Sequence, residues 1–297
     1  MTAVQEFGVW MSAVQQTMEE ALACYLPSTA QVPVRLHDAM HYATLDGGKR
    51  VRPLLAFAAG ELFNADAGMV ARAAAAVEMI HAYSLVHDDM PCMDDDALRR
   101  GKATVHVKYD EATALLVGDA LQAQAFLVLT GGPAGSGRKL EMIRLLANAA
   151  GSLGMCAGQA IDLDSVGTTL SLAQLEQMHR LKTGALLRAS VLLGALSGKG
   201  PTDVEQAALD TFSDAIGLAF QVVDDVLDAT ADSNTLGKTA GKDAADNKPT
   251  YVSILGLEHS RALAQKLRHD AHQAIMPFGD KARRLREIAD LIVERKA

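Results

Sequence analysis

Long proline-free stretches with helical periodicity constrain the fold of this chain more than any other feature. Three apolar segments contain no proline, at residues 70–86, 170–196 and 204–227, and a more charged amphipathic segment covers residues 275–293. In the first, alanines and larger apolar residues surround the helix almost completely, as in a helix at the centre of a bundle. No alternating apolar and polar run is long enough to predict a strand. The chain is therefore predicted to be all-α, a helical bundle without a linker between domains.

Composition and charge limit the classes of function. The 297-residue chain has a net charge of −8, which argues against nucleic acid and anionic membranes as partners. A phosphorylated substrate stays compatible with this charge, because acidic residues can hold metal ions. The three cysteines lack metal or redox spacing, the start of the chain does not resemble a signal peptide, and no uninterrupted apolar run reaches about 18 residues. We therefore expect a cytoplasmic protein without stable membrane insertion.

An acidic cluster follows the apolar segment 70–86. Residues 88–96 read Asp-Asp-Met-Pro-Cys-Met-Asp-Asp-Asp, and these five carboxylates would repel one another without cations. A solvated acidic helix end is the simpler alternative, but the preceding apolar residues place the cluster at the end of a core helix. Asp88 and Asp94 would point about 240° apart on a regular helix. Pro91 predicts a bend or bulge that brings them together.

A second acidic cluster, Gln-Val-Val-Asp-Asp-Val-Leu-Asp at residues 221–228, repeats this chemistry. Asp224 and Asp228 are four residues apart and project from one helix face, with Gln221 a turn before them. Oxygen ligands without cysteine or dedicated histidine favour Mg²⁺ over zinc or iron. Two such clusters at the ends of apolar helices predict carboxylates that share metal ions across the bundle.

Small basic sets flank the acidic clusters. They are Gly-Gly-Lys-Arg-Val-Arg-Pro at 47–53, which opens a helix, Arg-Arg-Gly at 99–101, Lys-Thr-Gly at 182–184, and Gly237, Lys238 and Lys248 in the polar stretch 229–250. Any one of them alone is most simply a solvated surface charge. Together they indicate two phosphorylated groups, one bound through metal and one bound by guanidinium and ammonium groups alone. The stretch 229–250 has the length and polarity of a lid.

Six ordered motifs resemble those of the trans-isoprenyl diphosphate synthases. The resemblance runs from about residue 37 to residue 261, and the motifs read GGKRVRP, HAYSLVHDDMPCMDDDALRRGKATVH, GQAIDL, LKTGALL, FQVVDDVLD and TLGKTAGKDAADNKPTY. The longer first acidic motif is most similar to the bacterial farnesyl diphosphate synthase branch. The resemblance implies an all-α bundle of the isoprenoid synthase type, with central helices around a deep cavity. It also implies one polyprenyl synthase domain over residues 1–297, and a homodimer.

The resemblance further implies roles for individual residues and several Mg²⁺ ions in each active site. The matching metal ligands are Asp88, Asp94, Asp224 and, in support, Asp228. The positions that match contacts of the allylic diphosphate are Arg99, Lys182, Thr183, Gln221 and Lys238. The positions that match the metal-free isopentenyl diphosphate site are Lys49, Arg52, His81 and Arg100. Gln159 matches a position near the reacting carbons.

The implied reaction condenses isopentenyl diphosphate with an allylic diphosphate. The allylic C–O bond ionises, the isopentenyl double bond attacks, and a proton is lost to the departing pyrophosphate. Tyr83, about one and a half turns before Asp88, matches the bulky floor of the product tunnel and favours the fifteen-carbon farnesyl product. Cys92 resembles the geranylgeranyl branch, so a twenty-carbon product is the alternative. The simpler interpretation of Tyr83 is packing against a neighbouring helix.

Other functions fit parts of the sequence. A metal-dependent phosphohydrolase would use His81, His87 and Asp88, but it leaves the basic sets and the second acidic cluster unexplained. A terpene cyclase shares the fold and the ionisation chemistry, but it has no need of the isopentenyl diphosphate site. An inactive partner subunit would not need intact acidic motifs.

Overall fold

The structure, a computed structural model, describes residues 3–230 and 249–295. Its elements in chain order are α1 (Ala3–Tyr25), α2 (Val34–Thr44), α3 (Val51–Leu62), α4 (Ala67–Asp88), β1 (Leu98–Arg99), β2 (Lys102–Ala103), α5 (Val105–Lys108), α6 (Glu111–Thr130), α7 (Ser136–Ala150), α8 (Met155–Asp164), α9 (Leu172–His179), a π-helical turn (Arg180–Gly184), α10 (Ala185–Leu196), α11 (Asp203–Thr230), α12 (Tyr251–Leu255), α13 (Leu257–Ala274), a 3₁₀ helix (Met276–Ala282) and α14 (Arg283–Glu294). The predicted all-α class is confirmed. The short antiparallel pair of β1 and β2 was not predicted, because two-residue strands leave no periodic signal.

Two compact units make up the chain. The first contains Met1–Arg144 and Leu193–Lys199, and the second contains Leu145–Leu192 and Gly200–Ala297. In the first unit α4 packs against α6, α3 and α1. In the second, α11 packs against α13, the π-helical turn and α14. A single domain over residues 1–297 stays a prediction.

Helix α4 is the core helix that residues 70–86 predict. Asp66 caps its first turn by accepting a hydrogen bond from the backbone N–H of Met69 at 3.0 Å. Residues 73–76 are all alanine and fully buried, as is Ile80 one turn later. Small side chains let neighbouring helices approach closely, so α4 forms the centre of the first unit.

Residues 170–196 do not form the single helix that their periodicity predicts. Helix α9 begins at a capping box between Ser171 and Gln174, and the π-helical turn separates it from α10. A π turn places one extra residue in the ladder and often marks a functional site. This turn carries Lys182 and Thr183.

The sequence predicts the bounds of the helix at residues 204–227 better than those of the helix at residues 275–293. Helix α11 contains all of residues 204–227 and begins after Thr202, whose hydroxyl accepts from the N–H of Glu205. Residues 275–293 instead divide into the 3₁₀ helix and α14, because Gly279 leaves the helical region with a φ of 58°.

Helices α4 and α6 are the two described helices that are long and apolar enough to cross a membrane by length and composition. In α4, 78% of the most apolar window is buried inside the protein, as in any core helix. In α6 the buried share is only 39%. Leu116 and Leu127 of α6 are 54% and 61% exposed, so this helix leaves an apolar face uncovered within its unit.

Candidate active site

The first acidic cluster lies in a turn beyond α4. The helix ends at Asp88, so the prediction that Pro91 bends it is wrong; Pro91 follows the helix end. Because Pro91 has no N–H to continue the helix, the chain folds back, and the N–H of Asp94 donates to the carbonyl oxygen of Asp88 at 2.8 Å. Asp95 completes the turn with a φ of 50°. The turn places the backbones of Asp88 and Asp94 next to each other.

Arg99 is oriented by a carboxylate that the sequence analysis did not single out. Its Nε donates to Oδ1 of Asp89 at 3.0 Å, and its Nη2 donates to the same oxygen. The Asp89 side chain is only 5% exposed, and its burial raises the pKa of the carboxyl against the opposing influence of Arg99. Asp89, the most buried carboxylate of the cluster, therefore holds Arg99 in place.

Four arginines of the first unit influence the protonation of His81. Burial, followed by the nearby guanidinium groups of Arg52 and Arg100, lowers the pKa of His81 well below its usual value. The imidazole is therefore neutral at pH 7. Burial also lowers the pKa of Arg100. The arrangement concentrates positive charge and favours an anion.

Gly48 leaves the space that the guanidinium group of Arg100 occupies. A Cβ atom at Gly48 would lie 2.7 Å from three atoms of the Arg100 guanidinium, and Gly48 has a φ of 86°. Only glycine tolerates both the contact and the backbone conformation. Lys49, which follows it, is exposed.

The loop before α3 is anchored by Arg50. Its Nη1 donates to Glu78 at 2.7 Å, its Nε donates to Glu19 at 3.1 Å, and its Nη2 donates to the carbonyl oxygen of Thr44 at 2.7 Å. The Arg50 and Glu78 side chains are 3% and 4% exposed. Arg50 thus has a structural role, which separates it from Arg52.

In the second unit, the π-helical turn and α11 bring polar groups side by side. The hydroxyl of Thr183 donates to Oε1 of Gln221 at 2.9 Å. Asp224 and Asp228 follow on α11, about one and two turns after Gln221. The Asp224 side chain is 43% exposed, whereas Asp228 is buried.

Lys182 is held by a buried carboxylate of α8. Its Nζ donates to Oδ2 of Asp162 at 2.6 Å, and the Asp162 side chain is 9% exposed. Gly158 allows this approach, since a Cβ there would lie 2.1 Å from the backbone nitrogen of Lys182. Gln159 lies on the same helix, beside Gly158, and its Nε2 is buried. Asp162 is part of the GQAIDL motif, although sequence reasoning assigned it no role.

An arginine near the end of the chain contacts the second acidic cluster. Nη2 of Arg295 donates to Oδ1 of Asp224 at 2.6 Å and to the carbonyl oxygen of Phe220 at 2.8 Å. Its guanidinium carbon lies 3.9 Å from the centre of the Phe220 ring. The Arg295 side chain is 8% exposed, and burial lowers its pKa. The segment carries no motif, so sequence reasoning missed this contact.

The predicted site residues divide between the units. The first unit holds Lys49, Arg52, His81, Tyr83, Asp88, Asp94, Arg99 and Arg100, and the second holds Gln159, Lys182, Thr183, Gln221, Asp224 and Asp228. Lys238 and most of the predicted lid 229–250 lie outside the described residues. Tyr83 is 6% exposed.

The donor set fits a hard cation such as Mg²⁺. Within residues 3–230 and 249–295, no three histidine, cysteine or acidic side chains converge into a complete metal cage. Mg²⁺ seldom uses such a cage, because it keeps waters and takes one or two carboxylates together with substrate phosphates. The turn that joins Asp88 to Asp94 and the half-exposed Asp224 provide carboxylates of this kind.

Comparisons with known proteins agree with this chemistry. The family described as polyprenyl synthetase matches residues 33–282. The chain is 51% identical to a probable farnesyl diphosphate synthase of Bradyrhizobium diazoefficiens, over 94% of this chain and 85% of that protein. It is 44% identical to the farnesyl diphosphate synthase of Escherichia coli, over 98% and 99% of the two chains. Geranylgeranyl pyrophosphate synthase 4 of Arabidopsis thaliana is also 44% identical, over 98% and 78%.

Solved structures show the same similarity. An FPP/GFPP synthase from Zymomonas mobilis matches with a TM-score of 0.87 and 41% identity, over 97% of this chain and 99% of that one. A geranyltransferase from Helicobacter pylori, complexed with magnesium and isoprenyl diphosphate, matches with a TM-score of 0.84 and 33% identity, over 96% of both chains.

Proposed function

Because the chain belongs to the polyprenyl synthetase family, we propose that it condenses isopentenyl diphosphate with dimethylallyl or geranyl diphosphate and gives (2E,6E)-farnesyl diphosphate. The observation that carries the proposal is the Arg100 guanidinium held against Gly48, the residue before Lys49 in the first basic motif. A guanidinium placed at this motif suits a diphosphate bound without metal, and a hydrolase or a cyclase has no need of such a site.

Metal would serve the other diphosphate. When held by Asp88, Asp94 and Asp224, with Asp228 in support, Mg²⁺ ions would act as Lewis acids that stabilise the departing pyrophosphate. The support is the carboxylate chemistry of both motifs and the magnesium in the Helicobacter pylori relative.

The protein's own side chains orient the allylic diphosphate. Lys182 and Arg99 are assigned to it from their motifs, as cations whose positions are fixed within their own units by Asp162 and Asp89. Pre-oriented donors stabilise a leaving group without reorganisation during the reaction. Thr183 contributes its hydroxyl. Lys238 is assigned to the same diphosphate from its motif alone.

The isopentenyl diphosphate is assigned to Lys49, Arg52, His81 and Arg100. Holding it by these groups presents its double bond to the allylic carbon in a fixed orientation. Gln159 would border the reacting carbons, where water must be excluded so that the cation is not quenched to an alcohol. The proton lost from the new cation passes to the pyrophosphate.

We assign the floor of the product tunnel to Tyr83. This residue is buried on α4 and precedes the first acidic cluster. A tyrosine ring in a close-packed core resists displacement by a further five-carbon unit, which favours fifteen carbons. A twenty-carbon product is the alternative, in keeping with Cys92 and with the similarity to a geranylgeranyl synthase.

A homodimer through α6 accounts for the uncovered apolar face of this helix. Leu116 and Leu127 lie eleven residues apart, hence on one face, and both are more than half exposed. Leu116→Glu should convert a dimer to a monomer in size-exclusion chromatography with light scattering, because it places a charge in an apolar interface. The control Val9→Glu changes a similarly exposed residue of α1 and should stay dimeric. A Leu116→Glu dimer would contradict this interface.

A cytoplasmic location completes the proposal. The three cysteines, all in the described part of the chain, are exposed and form no disulfide bond, as expected in a reducing compartment.

The function is tested by incubating the purified protein with isopentenyl diphosphate, geranyl diphosphate and Mg²⁺. Chromatography of the dephosphorylated products should show farnesol, with one pyrophosphate released for each condensation. Release of phosphate or pyrophosphate without chain growth would indicate a hydrolase, and a cyclic hydrocarbon would indicate a cyclase; either result would refute the proposal.

A further inference from the structure

Helices α4 and α6 meet where an imidazole lies against a glycine backbone. A Cβ atom at Gly118 would lie 1.9 Å from Nε2 of His87 and 2.5 Å from two of its ring carbons. Residue 118 must therefore be glycine for the imidazole to occupy this place. Nε2 of His87 is also 3.2 Å from the carbonyl oxygen of Leu115, one turn earlier on α6. Since a carbonyl only accepts, Nε2 carries the proton in this contact.

The same imidazole contacts Tyr83, one turn earlier on α4. The two ring centroids lie 5.8 Å apart, and the planes are inclined by 78°, an edge-to-face arrangement. His87 therefore touches the tunnel-floor residue on one side and α6 on the other. Core side chains keep their rotamers because their neighbours leave no space for another.

We infer that His87, seated on Gly118, is a chain-length determinant that acts by fixing the Tyr83 ring. The inference rests on the proposed function and extends it to two residues with no assigned part in product length. Neither residue needs to touch the substrate, so both are positioning residues. Without the imidazole, the Tyr83 ring gains the vacated space and yields to a longer allylic tail.

The measurement is the ratio of kcat/KM for farnesyl diphosphate to kcat/KM for geranyl diphosphate, each with isopentenyl diphosphate. A ratio is unaffected by the fraction of folded enzyme and by a general loss of rate from changes next to Asp88. A merely structural histidine would change both rates together and leave the ratio constant.

His87→Ala should raise the ratio about tenfold or more. The Tyr83 ring can then move into the space that the imidazole leaves, so the longer allylic tail no longer has to displace it from a packed position. Gly118→Ala should raise it as well, since the added methyl unseats the imidazole. In the His87→Ala background, Gly118→Ala should add nothing, because the imidazole that the methyl displaces is gone. The control Gly137→Ala changes a helical glycine with open space around its Cβ position and should leave the ratio unchanged.

Tyr83→Ala separates the two levels of the proposal. If Tyr83→Ala raises the ratio while His87→Ala does not, the inference about His87 is refuted, and the assignment of Tyr83 as the tunnel floor is retained. The inference is also refuted if Gly118→Ala has the same effect in both backgrounds. If Tyr83→Ala leaves the ratio unchanged, both the tunnel-floor role of Tyr83 and the positioning role of His87 are refuted. If the unmodified protein condenses neither substrate, the proposed function itself is wrong.

Discussion

At the scale of single residues, four arginines of the first unit divide into two pairs with different roles. Arg50 and Arg99 are held by the buried carboxylates of Glu78 and Asp89 and stabilise their loops. Arg52 and Arg100 have a larger influence on His81, whose pKa they lower together with burial, than Arg99 and Arg50 do. An incoming diphosphate neutralises the positive charge that these arginines concentrate.

Arg52→Ala should therefore raise the KM for isopentenyl diphosphate by about tenfold to a hundredfold, because a charge-assisted contact contributes roughly 1.5–3 kcal/mol. The KM for geranyl diphosphate should change little. Lys182→Ala should do the reverse, since Lys182 belongs to the allylic set. Steady-state kinetics with each substrate varied in turn measures both.

The control for this pair is Lys266→Ala, which removes an exposed cation of α13 that pairs with Asp270. It should leave both KM values unchanged. If Arg52→Ala and Lys182→Ala each raised both KM values equally, the division of the cations between two substrates would be wrong.

At the scale of elements, sequence patterns predict helices better than they predict interruptions. Residues 70–86 are predicted to form a buried helix because apolar residues lie on all sides of it, and α4 confirms this prediction. The π-helical turn at Arg180–Gly184 was not predicted, because one inserted residue does not disturb an all-round apolar pattern. Pro91 was placed correctly as a discontinuity, but as a bend rather than a helix end, since the following turn depends on the backbone bond from Asp94.

The sequence alone did not predict the residues that hold the predicted site side chains in place. Asp162 and Arg50 lie inside motifs, but their roles depend on which cation or carboxylate tertiary folding brings to them. Arg295 lies outside every motif. Long-range pairs of this kind leave no periodic or spacing signal, unlike the acidic clusters.

Arg295→Gln should tighten the binding of Mn²⁺, used as a spectroscopic substitute for Mg²⁺. The guanidinium lies 2.6 Å from Oδ1 of Asp224 and competes with a metal ion for that carboxylate. Asp224 is partly exposed, so we expect a change of about 1 kcal/mol, or roughly fivefold. Electron paramagnetic resonance of free Mn²⁺ measures this without turnover.

Arg286→Gln serves as its control, because Arg286 lies on α14, which ends directly before Arg295, and donates to the carbonyl oxygen of Gly279 instead. Mn²⁺ affinity should not change in this variant. Equal or weaker Mn²⁺ binding by Arg295→Gln would show that Arg295 does not compete with metal.

At the scale of the whole molecule, buried neutral histidines tie stability to pH. Burial lowers the pKa of His179 to about 4, and its ring stacks on Tyr251 at a centroid distance of 5.6 Å. The folded state then binds fewer protons than the unfolded state between pH 6.5 and 4. Stability is therefore present above pH 6.5 and is lost as the pH falls.

His179→Phe should keep the stack and remove the titration. Between pH 7 and pH 5 the unmodified protein should lose about 2 kcal/mol more unfolding free energy than this variant. Urea unfolding at the two pH values gives the difference. His269→Gln, which changes an exposed residue, should behave like the unmodified protein. An equal pH dependence for His179→Phe would refute this role of His179.

The central claim is that side chains of one unit hold one diphosphate without metal, whereas the other diphosphate needs Mg²⁺. Calorimetric titration with isopentenyl diphosphate, and separately with the unreactive geranyl thiolodiphosphate, tests it in Mg²⁺ and in EDTA. We expect EDTA to change the isopentenyl diphosphate affinity by less than about twofold and to weaken the allylic analogue by more than about tenfold, or 1.4 kcal/mol. Loss of both affinities in EDTA, or of neither, would contradict the account.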